Sequence, residues 1–346
     1  MSVILRFLTL SALLICGAAQ ARDMTVLRLG IFAPERHVHV REVVLPWVED
    51  VNSRLADHDI RIAAFTGGAL GRKGDMQLRL LETGVHDLTW FPTGYLPGRF
   101  PETELFEIPL LTDDPELLTR AFWRLYEEGS LSGFDDFKPL AISVSPPYHF
   151  HLTFPVESLN DLAGRKIRVL NAAQAEMMQS LGATPVAGIG GSEVAESLSR
   201  GLIDGAMFSW HATRSMGVER ITTMHIDQAI AFSPSILVMR QDSFDALPAP
   251  ARRIIDETTG EAMSLAYIRT MLGEVKKALI RVGNTDRHSF YTPTADEQAA
   301  LQKTFTALAE RWAGTNTARL ELVRDLKRVL ANMKGDTAQR EATGAE

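Results

Sequence analysis

The chain has a single cysteine, Cys16, which lies inside an apolar N-terminal segment. No disulfide can form within the chain, and beyond that segment there is no thiol nucleophile and no thiolate metal ligand. Small extracellular domains depend on disulfides because their cores are small, but a chain of 346 residues can bury enough apolar surface without them. The scarcity of cysteine is therefore compatible with a large protein that has an ordinary hydrophobic core.

Runs of basic residues and long apolar runs are also missing. The chain has 36 Lys and Arg against 43 Asp and Glu, and a formal net charge of −7. A mildly acidic chain of this kind is a poor partner for nucleic acid or for an anionic membrane surface. After Ala21, no apolar run approaches the roughly 20 residues that a membrane-spanning helix needs. We therefore expect neither nucleic-acid binding nor membrane insertion.

The usual sequence signatures of catalysis are absent as well. The chain contains no GxSxG, HExxH or GxxxxGK[ST] motif, and the glycine-rich runs 67–74 and 188–192 fit neither the dinucleotide nor the phosphate-loop spacing. Two His-x-His pairs, His37 with His39 and His149 with His151, would each place both rings on one side of an extended chain, as some metal sites do. No Asp or Glu cluster accompanies either pair, so we expect partly exposed loop histidines, no metal, no cofactor and no enzyme activity.

The N-terminus has the order of a secretory signal. Met1–Arg6 ends in a basic residue, Phe7–Ala19 is uncharged and apolar, and Ala19-Gln20-Ala21 is a small-x-small cleavage pattern. We expect residues 1–21 to be removed, so that the mature protein starts at Arg22 in the periplasm. An uncleaved anchor is the alternative; a lipid on Cys16 is disfavoured because Ile15 is bulky.

Beyond the signal, strand patterns alternate with helix patterns, which predicts an α/β fold with parallel pairing. Val26–Phe32, Ile60–Phe65 and Asp87–Phe91 are the first predicted strands. A second series follows from residue 139, and extended segments near 145 and 232 join the two series. This duplication predicts two lobes that exchange strands across a hinge. The expected division is 22–145 plus 234–272 for lobe 1, 146–233 plus 273–334 for lobe 2, and a disordered tail at 335–346.

The segment Ala249–Val282 has helical periodicity without an internal proline. As one helix it would be about 50 Å long, enough to run along both lobes. Two helices broken at Gly260 or Gly273 are the alternative. We take a long helix spanning both lobes as part of the predicted fold.

Three segments in order resemble the extracytoplasmic solute receptors of TRAP (tripartite ATP-independent periplasmic) transporters, in the dicarboxylate-receptor-like family. They are GALG at 68–71 with LETGVHDL at 81–88, LNDLAGRKIRV at 159–169, and LGATPV at 181–186 with SEVAESL at 192–198 and GLIDGA at 201–206. The resemblance covers roughly residues 26–330. It implies a two-lobed periplasmic binding protein (type II-like) that captures an organic acid and delivers it to TRAP permease membrane subunits. We expect the receptor to be a monomer. The receptor of an ATP-driven importer, or a sensor, is the alternative function.

The resemblance also implies a ligand anchor, because the constant arginine of the family's GxKxR strand matches Arg168. Strand alternation agrees, since Ile167 and Val169 would face the core and Arg168 the other side. A guanidinium there can bind a carboxylate through two parallel hydrogen bonds. An ordinary ion pair at the surface is the alternative for this residue.

Other pocket positions depart from the family pattern and predict a pocket with one charge and apolar or aromatic walls. Where related receptors carry polar groups, this chain has aromatic residues and one histidine. The candidate contacts are Phe32, Tyr148, His149, Phe208 and Trp210. For Phe208 and Trp210, packing in the core of the second lobe is the alternative. Tyr95 is added because its loop follows the third strand, where ligands gather in open α/β sheets. We expect an organic carboxylate with an apolar or aromatic body.

Overall fold

The computed structural model describes residues 24–108 and 112–343. The expected signal peptide, residues 1–21, lies outside the described residues. Within them, the strands are β1 (Thr25–Ile31), β2 (Ile60–Phe65), β3 (Leu88–Pro92), β4 (Phe137–Val144), β5 (Tyr148–Leu152), β6 (Lys166–Arg168), β7 (Thr184–Val186), β8 (Gly205–Ser209), β9 (Met224–Ala231), β10 (Pro234–Arg240) and β11 (Ser289–Tyr291).

Helices pack against the strands of both lobes. They are α1 (Leu45–Leu55), α2 (Gln77–Glu82), α3 (Pro115–Glu127), α4 (Ala172–Ser180), α5 (Val194–Ser199), α6 (Trp210–Thr213), α7 (Gln241–Asp245), α8 (Ala249–Thr258), α9 (Glu261–Gly283), α10 (Ala295–Ala313) and α11 (Thr317–Thr343). A π-helical turn at Val40–Val44 leads into α1. Asp114 caps the start of α3, because its carboxylate accepts hydrogen bonds from the backbone N–H groups of Glu116 and Leu117.

The strands form two mixed sheets, one in each lobe. The first has the order β2-β1-β3-β10-β4, and the second has the order β11-β9-β5-β8-β6-β7. In the first sheet β1 pairs in parallel with β2 and β3, while β10 runs antiparallel to β3 and β4. The two-lobed α/β fold predicted from the sequence is therefore confirmed.

The chain crosses between the sheets at the two places expected near 145 and 232. It passes from β4 to β5 through residues 145–147, and from β9 back to β10 through residues 232–233. The two crossing segments lie side by side. Ser145 N donates to Ser233 O at 2.9 Å, and Ser233 N donates to Ser145 Oγ at 3.1 Å. Paired extended segments of this kind can act as a hinge.

The long helical segment is broken once, at Thr259 and Gly260. Gly260 has φ 85°, a left-handed conformation that glycine adopts without strain. The remaining α9 still contacts both lobes. Ser264 Oγ accepts a hydrogen bond from Ile142 N of β4 at 2.9 Å, while Arg281 makes two hydrogen bonds of 2.8 Å to Glu219 in lobe 2. A spanning helix of 23 residues is present, and α8 is a separate helix.

The last two helices divide between the lobes, contrary to the expected assignment of 273–334 to lobe 2. The apolar side of α10, including Phe305, packs into the core of the second sheet. In α11, Leu326 and Leu330 pack instead with Phe122 of α3 in lobe 1. The chain reverses between α10 and α11 at Gly314, where φ is 49°, and this turn returns it to the first lobe.

The other differences concern elements with weak local signals. β9 was not predicted because Asp227 and Gln228 interrupt its apolar pattern, and β11 has only three residues. α11 continues to Thr343, into the segment expected to be disordered, because Ala, Gln, Arg and Glu are good helix formers. Residues 344–346 lie outside the described part.

Candidate functional site

A cavity of about 70 Å³ lies between the lobes, beside the crossing segments. Both lobes supply its walls, mostly from the ends of strands, where open α/β sheets place their ligands. The lining residues are Phe32, His37, Trp90, Pro92, Tyr95, Ser145, Tyr148, Arg168, Gly191, Phe208, Ser209, His211, Ala212, Met216, Ser233, Ser235 and Met271.

Arg168 ends β6 and is the largest fully buried side chain of the described residues, at 1% exposure. Its Nε donates to Ile189 O at 3.0 Å, and its Nη1 lies 3.5 Å from Met207 O. No carboxylate of the described residues pairs with it. A buried guanidinium without a counter-charge is costly to desolvate. The side chain therefore presents a positive charge to the cavity without an acidic partner among the described residues.

Aromatic rings surround this charge. Phe32 stacks on Trp90 with ring centroids 5.5 Å apart, and Tyr95 meets the edge of Phe32 at 6.0 Å. Across the cavity, Tyr148 and Phe208 lie 6.3 Å apart, and the guanidinium of Arg168 lies 5.9 Å from the Phe208 ring. Burial raises the pKa of Tyr148 to about 12, against the opposing effect of Arg168. Its hydroxyl therefore stays protonated and can donate a hydrogen bond.

Direct contacts join the lobes around the cavity. The Tyr95 hydroxyl of lobe 1 accepts a hydrogen bond of 3.0 Å from Gly191 N of lobe 2. Arg36 Nε donates to Ser215 O at 3.0 Å, again across the lobes. These contacts hold the two lobes together beside the cavity, as in a closed conformation.

Five of the seven candidate residues predicted from sequence line the cavity: Arg168, Phe208, Tyr148, Tyr95 and Phe32. The cavity lining does not include Trp210 or His149. Trp210 begins α6, and its indole packs on the rings of β5, β9 and β11 and on α9. His149 lies on the side of Trp210, with ring centroids 6.5 Å apart. Trp210 leaves the cavity because the chain turns from β8 into α6, whereas His149 follows Tyr148 on β5 and so points to the other side of the strand.

In the second histidine pair, His151 belongs to a hydrogen-bonded chain of three histidines and not to a metal site. His151 Nε2 is 3.1 Å from Phe208 O, so it must carry the proton and donate. In the neutral ring His151 Nδ1 then accepts from His225 Nδ1 at 2.9 Å, and His225 Nε2 accepts from His288 Nδ1 at 2.9 Å. His225 directs one ring nitrogen at His151 and the other at His288, so the three rings cannot bind the same ion. Burial lowers the pKa of His225 to about 3.

The first pair is buried, not partly exposed as expected. His37 lines the cavity at 3% exposure, and His39 is fully buried against Trp90 and Tyr267. Burial lowers the pKa of His37 to about 4. In residues 24–108 and 112–343, no group of three or more His, Cys, Asp or Glu side chains is arranged to hold a metal ion.

Several lining residues were not singled out from the sequence. Trp90 precedes the end of β3 and His37 follows β1, so the rule that ligands gather at strand ends could have found both. His211 and Met271 lie on helices, and Met271 comes from α9, far away in sequence. No local pattern marks such positions, because only the packing of α9 across the lobes brings Met271 to the cavity.

A larger neighbouring cavity, of about 210 Å³, contains no basic residue other than Arg311, which is paired with Glu176. Its buried acid is Glu107, whose two carboxylate oxygens have no hydrogen-bond partner among the described residues. Burial holds the pKa of Glu107 well above its ordinary value. Burial therefore opposes ionisation of Glu107, and among the described residues it makes no ion pair with Arg168.

Comparison with known proteins agrees with this geometry. Residues 29–315 match the family described as bacterial extracellular solute-binding protein, family 7. A solute-binding protein of Verminephrobacter eiseniae is 24% identical over 83% of this chain and 88% of its own length.

Two solved structures are similar over nearly the whole chain. One is a marine metagenome TRAP solute-binding protein specific for aromatic acid ligands, in complex with 3-hydroxybenzoate; it is 25% identical, covers 90% of this chain and 99% of its own, and has a TM-score of 0.82. The other is a TRAP solute-binding protein from Rhodoferax ferrireducens with benzoate, also 25% identical, with coverages of 90% and 99% and a TM-score of 0.83.

The fold and the cavity define a two-lobed solute receptor. The chain belongs to the bacterial extracellular solute-binding protein family 7, which confirms the resemblance to TRAP receptors. The family and its solved members are transport receptors that bind small organic acids, and they are not enzymes. In the described part of the chain, no helix combines the length and the apolar character that crossing a membrane requires.

Proposed function

We propose that this receptor captures a small aromatic monocarboxylate outside the cytoplasm. The observation that carries the proposal is Arg168, a buried cation without an acidic partner in the described part of the chain, in a cavity with several aromatic rings in its walls. A carboxylate bound there would replace its lost hydration with charge-assisted hydrogen bonds. One buried positive charge balances one carboxylate, so a second carboxylate would stay unpaired.

The walls favour a flat apolar body over a sugar acid. None of the described lining residues is Asn or Gln, the side chains whose amides could satisfy several hydroxyl groups. The polar wall groups besides Arg168 are a few hydroxyls and two imidazoles, so a polyhydroxylated ligand would replace only part of the hydrogen bonds to water that it loses. The stacked rings of Phe32 and Trp90 instead offer faces on which an aromatic ring can pack. The benzoate and 3-hydroxybenzoate bound by the two similar receptors support the same ligand class.

The finer features of transport belong to the same proposal. Cleavage after Ala21 would release the mature receptor into the periplasm. As a monomer it would close on its ligand around the crossing segments and deliver it to the membrane subunits of a TRAP-type permease. Intact-mass measurement of periplasmic protein should show Arg22 as the first residue. A species that retains residues 1–21, or a lipid on Cys16, would contradict this.

Calorimetry on the purified mature protein tests the ligand class. Benzoate should bind, while glucuronate and the dicarboxylate phthalate should bind far more weakly or not at all. Trp90 lines the cavity, so benzoate should also change the tryptophan fluorescence. Tight binding of glucuronate, with no binding of benzoate, would show that the aromatic walls do not select the ligand.

A further inference from the structure

Three polar side chains form a second polar region of the cavity, apart from Arg168. Ser209 and His211 come from lobe 2 and His37 from lobe 1, and all three line the cavity. The rings of His37 and His211 lie 5.4 Å apart across the lobe boundary. His211 Nδ1 is 2.9 Å from Ser209 Oγ. Over the described residues, neither the Nε2 of His211 nor either ring nitrogen of His37 has a hydrogen-bond partner.

The strand register separates this region from the carboxylate anchor. Arg168 of β6 lies opposite Ala206 of β8. Ser209 is three residues further along β8, or roughly 10 Å at the rise of a strand. Phe208 lies between them and reaches the Arg168 guanidinium with its ring. A one-ring acid whose carboxylate binds Arg168 would therefore lie along Phe208, with the far edge of its ring towards His211.

Both imidazoles are neutral in this environment. Burial lowers the pKa of His37 to about 4, and it holds the pKa of His211 well below its usual value. A neutral imidazole has one donor and one acceptor nitrogen, and which nitrogen carries the proton depends on its partners. A hydroxyl group can donate or accept, so it fits either tautomer of His211. A second carboxylate would find no charge to balance it.

We propose that Ser209, His211 and His37 form a hydroxyl-recognition site, so that the preferred ligand is an aromatic monocarboxylate with a ring hydroxyl remote from the carboxylate. The inference rests on the proposed function of the cavity and adds the substituent that it selects. A ligand without the hydroxyl leaves the neutral imidazoles unsatisfied in a closed cavity, and this is the physical source of the selectivity.

The test compares ligands of matched shape by calorimetry. 3-Hydroxybenzoate and 4-hydroxybenzoate are compared with 3-methylbenzoate and 4-methylbenzoate, in which a methyl group of similar size cannot form hydrogen bonds. In the unmodified protein, at least one hydroxy acid should bind roughly tenfold more tightly than its methyl counterpart. In His211→Phe this ratio should fall to about one or below, while the methyl acid still binds. His211→Gln, which retains a donor and an acceptor, should keep part of the preference.

The matched control is His149→Phe, a histidine near the same strand end that does not line the cavity. It should leave the ratio unchanged. An unchanged ratio in His211→Phe, or equal affinities for hydroxy and methyl acids in the unmodified protein, would overturn the hydroxyl-recognition site and leave the aromatic-acid function intact. Failure of all four acids to bind the unmodified protein would instead overturn the proposed function. Because each variant is judged by a ratio of two ligands, partial loss of folded protein does not affect the result.

Discussion

Replacing Arg168 should remove most of the affinity for the ligand, and the structure indicates how much. One side of the guanidinium is already used by the carbonyl oxygens of Ile189 and Met207. The remaining N–H groups are left for the carboxylate. In Arg168→Ala the ligand loses these charge-assisted hydrogen bonds and remains desolvated in a closed cavity. Truncating one partner of such a pair typically costs about 2–5 kcal/mol, or roughly 30- to 5,000-fold in affinity.

Two further variants separate charge from geometry. Arg168→Lys should recover little affinity, because an ammonium keeps the charge but lacks the planar fork. Arg165→Ala is the matched control. Arg165 lies just before β6, is exposed, and packs over the Phe154 ring at 4.2 Å. It should bind the ligand almost as tightly as the unmodified protein.

Stability without ligand provides an independent check of the same reasoning. The buried guanidinium pairs with no acidic residue among those that the structure describes, so Arg168→Met should leave the unfolding midpoint of the ligand-free protein unchanged or higher. The shift that benzoate produces in the unmodified protein should disappear in this variant. Calorimetry and thermal unfolding with and without benzoate measure both effects. Near-normal affinity in Arg168→Ala would refute the anchor, and with it the position of the ligand in the cavity.

Three more outcomes follow from the structure. Burial lowers the pKa of His37 to about 4 and that of His225 to about 3, so the stability that these neutral rings contribute is complete above pH 6.5 and is lost as the pH falls towards these pKa values. Urea unfolding should show the free energy of unfolding falling by up to about 1.4 kcal/mol per pH unit for each group. Burial raises the pKa of Glu107, so the stability that its protonated form contributes is present below pH 4.5 and is lost as the pH rises. Glu107→Gln should therefore increase the free energy of unfolding at neutral pH, and a decrease would contradict the raised pKa. Tyr95→Phe removes the acceptor for Gly191 N, which should favour the open form and weaken benzoate binding by several-fold. At the same benzoate concentration, small-angle scattering should give a larger radius of gyration for the variant than for the unmodified protein, and equal radii would indicate that this contact does not hold the lobes together.

Much of the fold could be predicted because its signals are local. Strand alternation located β1, β2 and β3 within one residue at either end. The proline-rich and extended segments near 145 and 232 marked the crossings between lobes. β9 escaped detection because polar residues interrupt its apolar pattern, and its place in the sheet depends on pairing with β5.

The face of β6 on which the Arg168 side chain lies could be predicted from the sequence for a simple physical reason. Neighbouring residues of a strand point to opposite sides, so a core residue at Ile167 places the next side chain on the other face. That the guanidinium has no acidic partner could not be predicted, because ion pairs depend on residues distant in the chain. The assignment of five candidate residues to ligand binding remains a prediction, and the cavity only shows that they lie together.

Sequence alone thus determined the class of the protein, the crossings between its lobes and the strand that carries Arg168, since each depends on patterns over a few neighbouring residues. Tertiary structure decided which aromatic and histidine side chains share the cavity. Trp210 is only two residues from Phe208, yet it packs away from the cavity because the chain turns into α6. His37 and His211 are far apart in sequence but meet across the lobe boundary, because closure of two separately folded lobes creates contacts that no local pattern records.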